Sequence, residues 1–81
     1  MRIHVRLFAL LKDRAGADRI DLDLPEKSTI ATAVEQLRHQ LPALANHLSH
    51  IAFALNRSYT QSNTPLQDGD ELALIPPVSG G

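Results

Sequence analysis

Ile75-Pro76-Pro77-Val78-Ser79-Gly80-Gly81 closes the chain, and its reading decides where the sheet stops and what it carries. Neither proline has an N–H to give a ladder, so the pair cannot lie inside a sheet. Consecutive prolines favour polyproline II and make a stiff spur. Ile75 is held extended because it precedes a proline. Val78 is the one apolar side chain beyond the spur. Gly80 and Gly81 carry no Cβ, so the terminal carboxylate stands on the thinnest possible backbone. Six residues at about 3.3 Å each reach about 20 Å, a length suited to probing a narrow channel in another protein. Fraying is the competing reading for any terminus. A stiff Pro-Pro followed by one apolar residue and two glycines favours a working tail.

Upstream of the tail, Leu72 and Leu74 alternate with Ala73 and Ile75, which predicts a strand with the two leucines inward. Asp68-Gly69 before it is a turn signal. At the other end, Arg2, His4 and Arg6 alternate with Ile3, Val5 and Leu7, a half-buried strand. Residues 19 to 24 repeat the pattern, with Ile20, Leu22 and Leu24 inward, and Pro25 ends it. The stretch from Phe8 to Gly16 is too long for a tight hairpin. Its Ala, Leu, Lys and Arg content predicts one or two helical turns, capped by Gly16.

Ser28 or Thr29 caps a helix. Ile30, Val34, Leu37 and Leu41 form one apolar stripe with Ala33 beside it, leaving Glu35, Gln36, Arg38 and His39 for water. Pro42 stops the helix. Leu44 and Leu48 leave residues 43 to 50 open between loop and a further short turn. Ile51, Phe53 and Leu55 alternate with Ala52 and Ala54, a strand apolar on both faces and so internal. Asn56-Arg57-Ser58 is turn-like, and Tyr59-Thr60 fits a short strand. The order predicts an α+β fold, with one main helix laid on one face of a mixed sheet of four to five strands. Residues 1–75 make one domain and 76–81 an extended flexible tail.

Bulk properties exclude several classes. Eighty-one residues have no room for a second core. A net charge of −1 gives no electrostatic footprint for nucleic acid, and no basic cluster faces a membrane. No apolar run approaches the roughly 18 residues of a membrane span. Met1-Arg2-Ile3-His4 lacks the apolar stretch of a signal peptide. The absence of cysteine excludes disulfides and Cys-based zinc sites, and fits a cytoplasmic home. A protein like this that handles sulfur cannot hold it on a side-chain thiol.

The side chains offer no self-contained catalytic constellation. His47 and His50 stand three apart, but no third ligand has metal-site spacing, so His4, His39, His47 and His50 read as surface or structural. Asp21 and Asp23 share a strand face with no cleft implied and read as solvated charge. Asp68, Asp70 and Glu71 lack calcium-loop spacing and read as a turn. Ser79 has no nucleophile elbow around it. Phe8, Ile75 and Tyr59 are large groups that the alternation places away from the helix-covered core, candidates for a partner interface. What remains is the terminal carboxylate. It is a poor electrophile until another enzyme activates it, for instance as an acyl-adenylate. Glycine leaves its carbonyl unshielded. Sulfur accepted there would form a thiocarboxylate, whose anionic sulfur is a good nucleophile.

Phe8-Ala9 with Gly16, Leu55-Asn56, Leu66 to Glu71 and above all Pro76 to Gly81 carry a resemblance. The chain is similar to the small subunits of molybdopterin synthase (MoaD), members of the ubiquitin-like sulfur carriers. That resemblance implies a β-grasp fold, with first and last strands parallel at the sheet centre. It implies that an E1-like (MoeB-like) enzyme adenylates Gly81 and that a sulfur donor protein converts it to a thiocarboxylate. The tail then enters the active site of the large synthase subunit (MoaE-like), and the sulfur passes to cyclic pyranopterin monophosphate. Gly81 would carry the sulfur, Gly80 accompany it, and Pro76, Pro77, Val78 and Ser79 guide the tail. Ile75 and Tyr59 would contact partners; for Phe8, placed on that face by the alternation alone, a small cluster under residues 9 to 16 is the competing reading. The adenylate and thiocarboxylate would be covalent states of Gly81, with no bound cofactor or metal and with catalytic residues on the large subunit of a heterotetramer. Many relatives place an aromatic residue where Ile75 stands. A thiamin-pathway carrier is less similar, because those chains usually have a tight first hairpin and no Pro-Pro. A protein modifier conjugated as ubiquitin is, or a plain interaction domain, would be the other classes.

Overall fold

A computed structural model of the chain describes residues 1–77. The alternation at the start forms strand β1 (Arg2–Leu7), with Ile3, Val5 and Leu7 buried. Helix α1 (Ala9–Ala15) follows, and Gly16 ends it in the left-handed region at φ 73° with its N–H donating to the Lys12 carbonyl. A residue with a Cβ is strained in that conformation. Strand β2 (Arg19–Asp23) returns antiparallel to β1, placing Arg2 opposite Asp23 and His4 opposite Asp21. Leu24, just past the strand, is buried as its alternation predicts.

Helix α2 (Ile30–Gln40) starts at Thr29, whose hydroxyl accepts from the Thr32 N–H at 3.4 Å. Ile30, Ala33, Val34 and Leu37 bury its apolar stripe. Leu41 caps the end, and Pro42 opens a 3-10 segment (Pro42–His47) that puts Leu44 into the core. Residues 43 to 50, open at the level of sequence, therefore contain the further short turn. Gln36 and Arg38 are half-buried, against the expectation that they face water. The Gln36 amide donates to the Asp23 carbonyl at 3.1 Å and so lies along the end of β2, while Arg38 packs toward Glu35 at 3.6 Å. The helix rests close enough to the sheet for long polar side chains at its margin to be covered along their stems.

Strands β3 (Ala52–Leu55) and β4 (Ser58–Thr60) form a hairpin, and β5 (Glu71–Ile75) ends the fold. The sheet order is β2-β1-β5-β3-β4. The last strand lies at the centre, parallel to β1 and antiparallel to β3, with Leu72 and Leu74 fully buried. This is the β-grasp arrangement that the resemblance implies. α2 covers one face, where Ile3, Val5, Leu7, Leu22, Leu72 and Leu74 meet its stripe. Among the described residues, no helix is long and apolar enough to cross a membrane.

Candidate functional site

Because β5 is central and last, the chain leaves the fold from a strand hydrogen-bonded on both sides. Paired residues on neighbouring strands share a face. Ile75 stands opposite Ala52, and Ala73 lies between Arg6 and Ala54, which in turn faces Tyr59. Ile75, Ala73, Ala54, Ala52 and Tyr59 therefore lie on the sheet face away from α2. Phe8 joins this face from the end of β1. The Arg6 guanidinium lies over its ring at 5.4 Å, a cation–π contact, and reaches toward Glu71 at 3.9 Å. Phe8 is extended, and Ala9 then takes φ 51° to start α1, so the ring stays outside the core and is 38% exposed.

At the end of β1 and β5 the surface opens into a groove of about 730 Å³. Phe8, Ala9 and Leu10 form one part of its lining, and Ile75, Pro76 and Pro77 another. Asn46, His47, Ser49 and His50 supply the polar part. An apolar concavity edged by a few polar tips is the usual form of a recognition site.

Several charged residues have structural partners. Arg2 holds Asp23 through Nε at 2.9 Å and Nη2 at 3.2 Å. That contact lowers the Asp23 carboxyl below its ordinary range and raises the guanidinium further. Asp21 accepts from His4 Nδ1 at 2.8 Å and from Arg19 Nε at 3.2 Å, and both hold it below its ordinary range, His4 foremost. Asp68 accepts from the Arg2 N–H, and Asp70 from the Gln67 N–H and from Asn56 Nδ2. The acidic cluster thus builds the turn before β5, as its spacing predicts. Among the described residues, no group of three or more His, Asp or Glu side chains is arranged to hold a metal ion.

The ThiS family model matches residues 5–81. The chain belongs to the ThiS family. It is 37% identical over 81 residues to the molybdopterin synthase sulfur carrier subunit of Arabidopsis thaliana, covering 100% of this chain and 84% of the relative. The crystal structure of SAMP1 from Haloferax volcanii is similar with a TM-score of 0.92 at 31% identity, covering 100% of both chains. A chain of the complex of subunits 1 and 2 of molybdopterin-converting factor from Helicobacter pylori is similar with a TM-score of 0.70 at 29% identity, again covering 100% of both.

For this ThiS-family chain, the structure brings Phe8, Ile75, Pro76 and Pro77 together in the groove. Tyr59 shares their sheet face but lies two strands away and outside the groove, 77% exposed. Val78, Ser79, Gly80 and Gly81 lie outside the described residues. Sequence reasoning missed the part played by Ala9, Leu10, Asn46, Ser49 and the two histidines His47 and His50. Leu10 carried a signal. α1 is too short to bury both Leu10 and Leu11, which are consecutive, and only Leu11 enters the core. The polar part had no local signal, because it comes from the segment whose form was open.

Proposed function

We propose that this chain is the sulfur-carrier subunit of a molybdopterin synthase and that Gly81 is its reacting residue. The observation that carries the reading is the root of the tail. A central strand ends at Ile75, and Pro76 and Pro77 lead out of the sheet toward Val78-Ser79-Gly80-Gly81. The full-length likeness to sulfur carrier subunits supports it. An E1-like enzyme activates the Gly81 carboxylate with ATP: a carboxylate oxygen bonds to the α-phosphorus and pyrophosphate departs. Sulfur supplied at the sulfide level by a donor protein then attacks the acyl carbon and AMP leaves. The resulting thiocarboxylate is delivered into the large subunit's active site, where its sulfur passes to cyclic pyranopterin monophosphate. This chain contributes presentation, and the large subunit contributes the catalytic groups. Holding the sulfur on a slim tail rooted in the sheet places it at reacting distance inside a pocket. Phe8, Ile75 and Tyr59 on the uncovered face would dock the domain while the tail is engaged. Such a carrier would work in the cytoplasm, with no metal or cofactor of its own.

Deleting Gly80-Gly81, or adding one residue after Gly81, should abolish molybdopterin formation in a synthase reconstituted with an activating enzyme and a sulfur donor. Undiminished product from the extended chain would refute the tail mechanism. The likeness to SAMP1 favours a second reading, a ubiquitin-like modifier. Isopeptide-linked adducts on cellular lysines would support it.

A further inference from the structure

The sheet has two edges, and they differ in what they leave open. β4 is short, and its hairpin pairing with β3 leaves only Tyr59 with its N–H and C=O turned outward. β2 is longer. Met1 and Leu24 exchange both backbone hydrogen bonds at 2.8 Å, and the Leu7 N–H donates to the Asp18 carbonyl at 2.9 Å. Bonded and non-bonded pairs alternate along an antiparallel ladder. Ile20 and Leu22 therefore turn their backbone groups toward β1, while Arg19, Asp21 and Asp23 turn theirs outward. The Gln36 amide takes the Asp23 carbonyl from outside at 3.1 Å, and residue 18 lies in a bend. Arg19 and Asp21 are left between them, and no strand lies beyond β2 among the described residues. Their side chains are also only half used. Asp21 Oδ1 accepts from both His4 and Arg19, and Arg19 Nη2 meets His4 at 2.8 Å. Asp21 Oδ2 and Arg19 Nη1 have no recorded partner among the described residues.

We infer that β2 pairs antiparallel with β2 of a second copy of this chain, with Arg19 opposite the second copy's Asp21. Charged edges normally keep a strand single. Opposite charges two residues apart make this edge complementary to itself instead. Only residues with outward backbone groups can form the bonded pairs. A register centred on Asp21 sets two aspartates face to face, and one centred on Arg19 sets two arginines face to face. Asp21 opposite Asp23 is again a like-charge pair, and such pairs destabilise. The register centred on Ile20 makes every facing pair of charges opposite in sign, twice by symmetry. It also sets Ile20 against its own copy in a non-bonded pair, where side chains approach most closely. Ile20 is half-buried in the single chain, so this contact covers apolar surface. A contact of one strand edge is small and belongs to weak association at high concentration. It uses none of Phe8, Ile75 or Tyr59 and does not rest on the carrier reading.

Sedimentation and NMR on the full chain, from micromolar to millimolar concentration at low ionic strength, test it. The mass should rise from one chain toward two. The amides of Arg19 and Asp21 should shift and gain exchange protection with concentration, while those of Ile20 and Leu22, already bonded to β1, stay protected throughout. Asp21→Arg places like charges opposite each other at both symmetric pairs and should weaken the association about tenfold or more. The double exchange Arg19→Asp/Asp21→Arg should restore it. A single-chain mass at every concentration would overturn the inference, and so would a dimer whose shifting amides lie at Tyr59 or in the groove. A double exchange that melts as the parent does yet associates no better than Asp21→Arg would also overturn it. The parent's own concentration dependence needs no variant, and sulfur loading at Gly81 is read separately by mass.

Discussion

Arg57 stands at φ 72° beside Asn56 at φ 49°, in the two-residue turn that joins β3 to β4. Both positive values define the mirror-image turn that suits the twist of a hairpin, and the second position favours glycine. Asn56 tolerates its conformation and also locks the turn to β5: its side chain donates to Asp70 and accepts from the Glu71 N–H. Arg57, exposed and outside every ion pair recorded among the described residues, has no such compensation. Arg57→Gly should therefore stabilise the domain by about 0.5–1 kcal/mol, after the added freedom of the unfolded chain is set against the strain removed. A thermal melt reads this as a rise of about 2–8 °C, and an unchanged or lowered midpoint would contradict it. Phe8 poses the opposite case. It costs the fold little to lose, because its ring lies on Arg6 and the groove rather than in the core. Phe8→Ala should leave the melt within about 1 kcal/mol of the parent yet weaken binding to the large subunit by about 2 kcal/mol, roughly 30-fold. Calorimetric titration of the two subunits decides it, and equal affinities would remove Phe8 from the interface.

The β1–β2 pair carries a ladder of polar contacts, Arg2 across to Asp23, His4 across to Asp21, and Arg19 along β2 to Asp21. Both carboxyls are lowered by these contacts. Their contribution is thus complete above the ordinary carboxylate value near 4 and is lost as pH falls through the lowered folded-state values. The exposure of the pairs and salt screening keep the contribution small. Urea midpoints of the parent should fall between about pH 4 and pH 2 more than those of Asp21→Asn/Asp23→Asn, and parallel curves would contradict the assignment. This same ladder shows what sequence can and cannot say. The period-two alternation of residues 2 to 7 and 19 to 24 reports each strand's faces, because side-chain direction is local. So do the α2 stripe and the Gly16 and Thr29 caps. That β5 lies beside β1 has no local signature. The parallel pairing joins segments more than sixty residues apart, and here it came from the resemblance. The groove was still less legible. It forms where residues 8–10, 46–50 and 75–77 converge, and the apolar signal of the middle segment, Leu48, belongs to the core rather than to the groove.

On the scale of the whole molecule, the fold is a scaffold with its working end at one edge. The core lies between α2 and one sheet face, the opposite face carries Ile75, Tyr59 and Phe8, and the central strand points into the tail. The central claim is that chemistry happens at Gly81 itself. Its most direct test is the intact mass of the protein after incubation with ATP, an E1-like enzyme and a sulfur donor, with fragmentation to locate any change. The account predicts replacement of one oxygen by sulfur, confined to Gly81 and dependent on ATP. A chain that keeps its original mass while the activating enzyme modifies a control carrier, or that gains sulfur anywhere else, would contradict it.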